Sequence, residues 1–435
     1  MNLTNKRELR LLRAIAQRAA RELELVRENP DTPSPLDYFY GVMESVFIKN
    51  NPESILNSSP DNQPVLGIYC IMIPEEFIYA AGAVPIRLCS GCFESSQIGE
   101  DLIPRDGCPL VKSTMGFSIQ TGLKIFDMCD VVVIPTTCDA KRKLGEELSA
   151  FKEVWMLEVP HIKDTDFSRT MWIEQMFALK TKIENYVSTK GKKKRITRQK
   201  LYNAIKNSAR AQFEIRRLIL LRKSASPVIS GRQAAIVLNS YAYAPVTDWT
   251  DALSKLNTQL SENSNKNKLL YSETRPRIYI VGSPMIFPNL KIIALVEEMG
   301  GIVVCDESCT GDRSLYDPIG STEKSLNNQV IAIASRYLAP CVCPSFSPNG
   351  DRLEKIKQTV SEFDVDGVLY HVLKGCVIYD FEVPRVEKVL TSGETPLLRI
   401  ETDYNQEDIE QIRTRIEAFI EILKSKKKRA VLEHI

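Results

Sequence analysis

The stretch Asp130-Val131-Val132-Val133-Ile134-Pro135-Thr136-Thr137-Cys138-Asp139 decides the fold. A β-branched run reads as a strand, and the proline stops it. A small polar loop then delivers one cysteine. In an open parallel sheet, ligands sit just beyond the carboxyl ends of strands, which makes Cys138 a candidate site residue. The layout recurs at Asp366-Gly367-Val368-Leu369-Tyr370-His371-Val372-Leu373-Lys374-Gly375-Cys376, so strands from both halves of the chain each present a cysteine.

Outward from these strands, helix-period and strand-like segments alternate. Toward the N-terminus, Val65 to Ile73 reads as a buried strand containing Cys70. Pro74-Glu75-Glu76 opens a helix, with proline and two acids suiting its positive end. Val84 to Leu88 is a strand running into Cys89-Ser90-Gly91-Cys92, and Cys108 opens a helix through about Phe126. Before these, Lys6 to Arg27 has helical spacing with Leu9, Leu12, Ala16 and Ala20 as its apolar face. Toward the C-terminus, Glu153 to Val159 is a strand, and Phe167 to Val187 and Arg198 to Arg222 are helices. The second of these offers Leu201, Ile205, Phe213, Leu218 and Leu221 to one face. Lys190 to Arg195 is a basic turn, and Ser261 to Lys268 a polar linker. Alternation then resumes, with strands at Arg277–Val281, Gly301–Cys305 and before Cys376, a helix after Pro384, a strand at Pro396–Ile400 and a final helix from Glu407 to Leu423. Lys424 to Arg429 reads as a solvated basic tail.

This pattern predicts an α/β protein with two doubly wound parallel-sheet domains of Rossmann or flavodoxin-like type, joined by a helical segment. The expected divisions are N-terminal helices over 1–50, a first α/β domain over 51–190, a helical connector and linker over 191–270, and a second α/β domain over 271–435. The length of 435 residues suits more than one domain. A hydrophobic content of 43% is enough for a real core. A net charge of +2 gives no global sign of nucleic-acid or membrane binding. The start, Met1 to Arg10, is polar and charged, unlike a signal peptide, and no apolar run reaches the ~20 residues needed to span a bilayer. A cytoplasmic location is expected.

The eleven cysteines are the informative count. In a reducing compartment they favour metal or redox chemistry over disulfides, although any single one could be a small buried hydrophobe. The three histidines, His161, His371 and His434, argue against an imidazole-built zinc site and against a Ser/His/Asp hydrolase. There is no Gly-x-x-x-x-Gly-Lys-Ser/Thr loop for ATP, and no Gly-x-Gly-x-x-Gly follows a strand. Cys89-x-x-Cys92 and Cys341-x-Cys343 are weak signals alone. Position is the stronger one: Cys89, Cys138, Cys309 and Cys376 follow predicted strands, and Cys108 and Cys343 precede predicted helices. Thiolates are the usual ligands of iron–sulfur clusters, and helix starts favour such anionic groups. Ligands scattered over the whole chain suggest a cluster at the domain interface. Lys141-Arg142-Lys143, beside Cys138, would offset cluster charge, hold an anionic substrate, or simply be a solvated first turn. Lys141 and Lys112 are the candidate cofactor-binding cations. Glu75, Glu76, Asp139 and His371 are candidate proton donors by their nearness to motifs.

With those residues in view, the chain resembles the 2-hydroxyacyl-CoA dehydratase and benzoyl-CoA reductase family. The matching pieces are Pro74 to Pro85, Thr137-Cys138-Asp139-Ala140-Lys141, Asp366-Gly367-Val368 leading to Cys376, and Arg399-Ile400-Glu401-Thr402-Asp403-Tyr404. The resemblance implies a cluster on Cys108, Cys138 and Cys376, with electrons from a separate ATP-hydrolysing iron–sulfur activator, which suits the missing phosphate loop. Leu88-Cys89-Ser90-Gly91, Glu307-Ser308-Cys309 and Cys343-Pro344-Ser345-Phe346-Ser347-Pro348-Asn349 look like the family's double-cubane branch. That branch holds two linked cubanes (8Fe–9S type) on six cysteines and reduces small molecules anaerobically. Here the six would be Cys108, Cys138, Cys376, Cys89, Cys309 and Cys343, with Cys70 and Cys341 in reserve. The expectation is therefore an anaerobic reductase, a homodimer working with an activator. The alternatives are a dehydratase subunit carrying one 4Fe–4S cluster, and an electron carrier with no substrate of its own.

Overall fold

The computed structural model describes residues 3–27, 33–56, 63–119, 122–190, 195–225, 227–266, 275–314, 319 and 325–433. The chain opens with α1 (Leu3–Arg27), α2 (Leu36–Phe47) and a short α3 (Glu53–Leu56). The first alternating half holds β1 (Val65–Ile68), α4 (Glu75–Ala81), β2 (Val84–Arg87), α5 (Phe93–Gly99), α6 (Pro109–Ile119), α7 (Lys124–Asp127), β3 (Val131–Pro135), α8 (Asp139–Leu148) and β4 (Glu153–Leu157). Then come α9 (Asp166–Thr189), α10 (Arg198–Arg222), α11 (Gly231–Ser240) and α12 (Val246–Asn265). The second half holds β5 (Arg277–Gly282), α13 (Lys291–Glu298), β6 (Ile302–Asp306), α14 (Leu326–Leu338), α15 (Gly350–Glu362), β7 (Gly367–Leu373), α16 (Val377–Ser392), β8 (Leu397–Thr402) and α17 (Ile409–Glu433).

Each half forms a four-stranded sheet, in the orders β2-β1-β3-β4 and β6-β5-β7-β8. Every strand pair is parallel. The protein is thus α/β with two all-parallel sheets of the same strand order, as the alternation predicts. The β-branched run of β3 is buried throughout because helices cover both faces of its sheet. Its side chains alternate: Val131 and Val133 face one core, Val132 and Ile134 the other. The connections leave in opposite directions at β1/β3 and at β5/β7, which are the switch points where a parallel sheet opens a crevice.

The halves share their packing. Trp172 of α9 is buried and donates to the Ala334 carbonyl of α14 at 2.9 Å. The buried Lys163 donates to the carbonyls of Ala339 (3.1 Å) and Cys341 (2.7 Å) and pairs with Asp351. Among the described residues no helix is long and apolar enough to cross a membrane.

Several expectations change. In α1 the buried stripe is Leu11, Ile15, Ala19, Leu23 and Val26, while Leu9, Leu12, Ala16 and Ala20 are half-buried; the bulkier stripe removes more apolar area from water. The β1 strand stops at Ile68, because Cys70 takes a positive φ of 71° and the chain turns there. The helix expected through Phe126 is two, α6 and α7. Phe213 of α10 is 61% exposed, and Leu201, Ala204, Ile205, Ala211, Ile215 and Leu218 form the buried face instead. Helix α12 runs on to Asn265, with Lys266 at its end, where a linker was expected, and residues 267–268 of that linker lie outside the described residues. Residues 191–194 of the basic turn also lie outside them. Helix α16 begins at Val377, capped by Cys376, with Pro384 inside it. The basic tail continues α17.

Candidate functional site

The cysteines are carried to one place by the strand ends. Cys70 and Cys89 follow β1 and β2, and Cys138 caps α8 just past β3. In the second half, Cys309 follows β6 and Cys376 caps α16 just past β7. Cys108 stands directly before α6, and Cys343 in the loop before α15. All seven line one cavity of about 1480 Å³, solvent at its mouth included, between the carboxyl ends of the two sheets. Cys70 is thus with the cavity cysteines. Cys341 is buried in the apolar core instead, outside the cavity lining. Cys92, Cys129 and Cys305 are also core residues, and burial pushes all four of these thiols up, that of Cys129 to about 12.

Helix starts face the cavity sulfurs. The Cys108 thiol accepts from Cys376, and from the backbone N–H groups of Leu110 and Val111, against the pull of burial. Those contacts hold its thiol below its ordinary value. The Cys376 thiol is raised in turn, first by that hydrogen bond and then by burial. Cys138 accepts the Lys141 N–H and Cys376 the Tyr379 N–H, at the first turns of α8 and α16. Backbone dipoles so arranged favour an anionic sulfur.

Lys141 lines the cavity, with its Nζ 3.0 Å from Thr137 Oγ1. Burial alone would lower its ammonium, but Cys70, Cys138, Cys89 and Cys309 around it together hold it above its ordinary value. Two matching sets of side chains form another wall. Glu75 accepts from Arg87 Nε and from the Tyr241 hydroxyl, each at 2.8 Å. Glu76 accepts from Arg336 at 3.3 Å and from the Tyr337 hydroxyl at 2.8 Å. Both glutamates line the cavity.

The other proposed residues stand elsewhere. Asp139 points into solvent and pairs with Arg142 at 3.3 Å. Lys112 is turned away, bonded to Glu100 and to the Arg105 carbonyl, both at 2.8 Å. His371 is buried in β7, outside the cavity lining. Its Nδ1 meets the Ser283 carbonyl at 3.0 Å; a carbonyl only accepts, so Nδ1 carries the proton. Burial pulls this imidazole down to about 4 and keeps it neutral. Sequence reasoning missed the part played by the connector helices. Helix α10 supplies Ser208, Ala211, Gln212 and Ile215 to the cavity, and α11 with the loop after it supplies Leu238, Asn239, Tyr241, Ala242 and Tyr243. No motif marks them, since they are ordinary helix residues until the fold turns them inward.

Among the described residues no three His, Cys, Asp or Glu side chains stand close enough to share one metal ion. A cluster is wider than an ion, and its thiolates stand apart around it. A donor set of seven cysteines and no histidine, drawn from both halves, suits an iron–sulfur cluster better than a single cation.

Residues 70–423 match the family model described as 2-hydroxyglutaryl-CoA dehydratase, D-component. The chain is 31% identical over 399 residues to "Putative dehydratase subunit YjiM" of Escherichia coli (strain K12), covering 90% of this chain and 99% of that protein. It is 21% identical over 387 residues to the (R)-2-hydroxyglutaryl-CoA dehydratase, subunit beta, of Acidaminococcus fermentans, covering 86% and 97%. With the (R)-phenyllactyl-CoA dehydratase beta subunit of Clostridium sporogenes it shares 20% over 381 residues, covering 86% and 96%. With seven cysteines gathered between two parallel sheets and a match over most of its length, the chain belongs to the 2-hydroxyglutaryl-CoA dehydratase D-component family.

Proposed function

We propose that this chain is an iron–sulfur reductase that holds a double-cubane cluster in the cavity and reduces a small molecule with electrons from a separate ATP-hydrolysing activator. One observation carries this reading: Cys89, Cys309 and Cys343 line the same cavity as Cys108, Cys138 and Cys376. Three thiolates suffice for one cubane with an open iron; six are more than one cubane uses. In this reading the trio on the helix starts holds one cubane, and Cys89, Cys309 and Cys343 hold the other. When bound, such a cluster supplies low-potential electrons. Lys141 offsets its negative charge from within the ring of sulfurs. The proton-handling candidates narrow to Glu75 and Glu76, each fixed at the cavity wall by one arginine and one tyrosine.

The second reading is a 2-hydroxyacyl-CoA dehydratase subunit with a single 4Fe–4S cluster, working with an activator and a partner subunit. The names of the relatives favour it over the reductase, since each is called a dehydratase subunit. Iron and sulfide analysis of anaerobically purified protein separates the two. The double cluster predicts about twice the iron of one 4Fe–4S cluster per chain. It also predicts that Cys309→Ser loses part of that iron. Iron near one cubane, unchanged in Cys309→Ser, would leave the dehydratase as the function.

A further inference from the structure

A buried line of alternating charge runs from a cavity cysteine to the surface. It starts at Arg313, in the short turn after Cys309, whose side chain is 1% exposed. Arg313 donates to Cys309 Sγ at 3.9 Å and to the Tyr379 hydroxyl. Behind it, its guanidinium meets Glu307 at 2.7 Å. Glu307 also accepts from Arg352 at 2.7 and 2.9 Å, and from the Gly282 N–H at 3.2 Å. Arg352 reaches Glu382 at 3.1 Å, and Glu382 meets the half-exposed Arg385 at 2.9 Å. The line holds three cations and two carboxylates, and its inner end is positive.

A buried arginine beside a thiol has a structural reading, as a partner for Glu307 alone. Two features go beyond it. Arg352 already bonds both oxygens of Glu307. In addition, Arg313 Nε is buried with no hydrogen-bond partner among the described residues, so its donor capacity is not used up by the protein. A guanidinium is permanently charged and its planar fork is held rigidly, which suits a fixed field better than an ammonium would. Hydrogen bonds to cluster sulfurs and nearby charge set reduction potential. A cation on a ligand sulfur stabilises the more negative, reduced state.

We propose that Arg313 is a positioning residue that raises the reduction potential of the cluster at Cys309, with Glu307, Arg352 and Glu382 holding its guanidinium in place. This rests on the cluster reading above. It makes the Cys309 side of the cavity the easier one to reduce.

The test compares anaerobically purified full-length wild type, Arg313→Gln and Arg313→Lys, with iron content and a redox titration followed by electron paramagnetic resonance. Removing a charge-assisted hydrogen bond should lower the equilibrium constant for reduction about tenfold, a fall of ~59 mV for one electron. Arg313→Lys, which keeps the charge and loses the fork, should shift the same way by less. If Arg313→Gln fails to hold iron, a lowered midpoint in Arg313→Lys upholds the proposal. Wild-type midpoints in the variants that hold iron overturn it, and loss of iron from both folded variants makes Arg313 a structural residue and overturns it too. A wild type without any cluster brings down the cluster reading and this proposal together. A clustered wild type with unshifted variants brings down this proposal alone.

Discussion

Gly375→Ala tests how the two halves are held at the site. Gly375 has φ +73° and sits directly before Cys376, against the loop that carries Cys108. A Cβ there would lie 2.2 Å from the Asp106 carbonyl oxygen and 3.1 Å from the Cys108 nitrogen, where ordinary contact begins at 3.4 Å. The nearest atom is backbone, so no side chain can swing aside, and the two loops must part by roughly 1 Å. The left-handed backbone costs about 1–2 kcal/mol for alanine, and the overlap a further ~1–3 kcal/mol, so the sum is about 2–5 kcal/mol. The displacement falls on the Cys108–Cys376 pair. We expect the apoprotein to melt at lower temperature and, after anaerobic reconstitution, to retain less iron than wild type. Gly393→Ala is the control, because its nearest neighbour would be 3.6 Å away and its φ is −101°. Wild-type melting and wild-type iron in Gly375→Ala would refute the reasoning.

Three further outcomes are expected. Cys138→Ser and Cys376→Ser should each lose iron, and the loaded protein should lose thermal stability with it, since a group bound only by the native fold stabilises that fold; unchanged iron in both would remove them from the site. His371 titrates near 4 when folded and near 6.5 when unfolded, so its neutral burial adds about 3 kcal/mol of stability that is complete above pH 6.5 and is lost as the pH falls toward 4. Urea unfolding of the apoprotein across that window should show the slope, and His371→Asn should flatten it. Asp139→Asn should leave stability within ~0.5 kcal/mol and iron unchanged, because the side chain is in solvent; loss of iron in this variant would return Asp139 to the site.

Local chemistry made much of this protein legible in the sequence. The β-branched run of β3 ends at Pro135, so the strand, its end and the cysteine beyond it follow from neighbours along the chain. The same holds for α4, which Gly82 ends with a φ of 79°. Repeated alternation was enough to give two parallel sheets, because period-two and helical patterns reflect burial that any compact fold must satisfy. Which apolar stripe of α1 is buried, and that Phe213 faces solvent, depended on what lies opposite, and no single segment carries that information. The site divides in the same way. Cysteines at strand ends could be picked out one by one. Only the packing of one half against the other brought Cys70 among them, sent Cys341 to the core, and turned α10 and α11 into cavity walls. It also left Asp139 in solvent and ran Arg313, Glu307, Arg352 and Glu382 into one buried line, since distance through the fold, not along the chain, sets which charges meet.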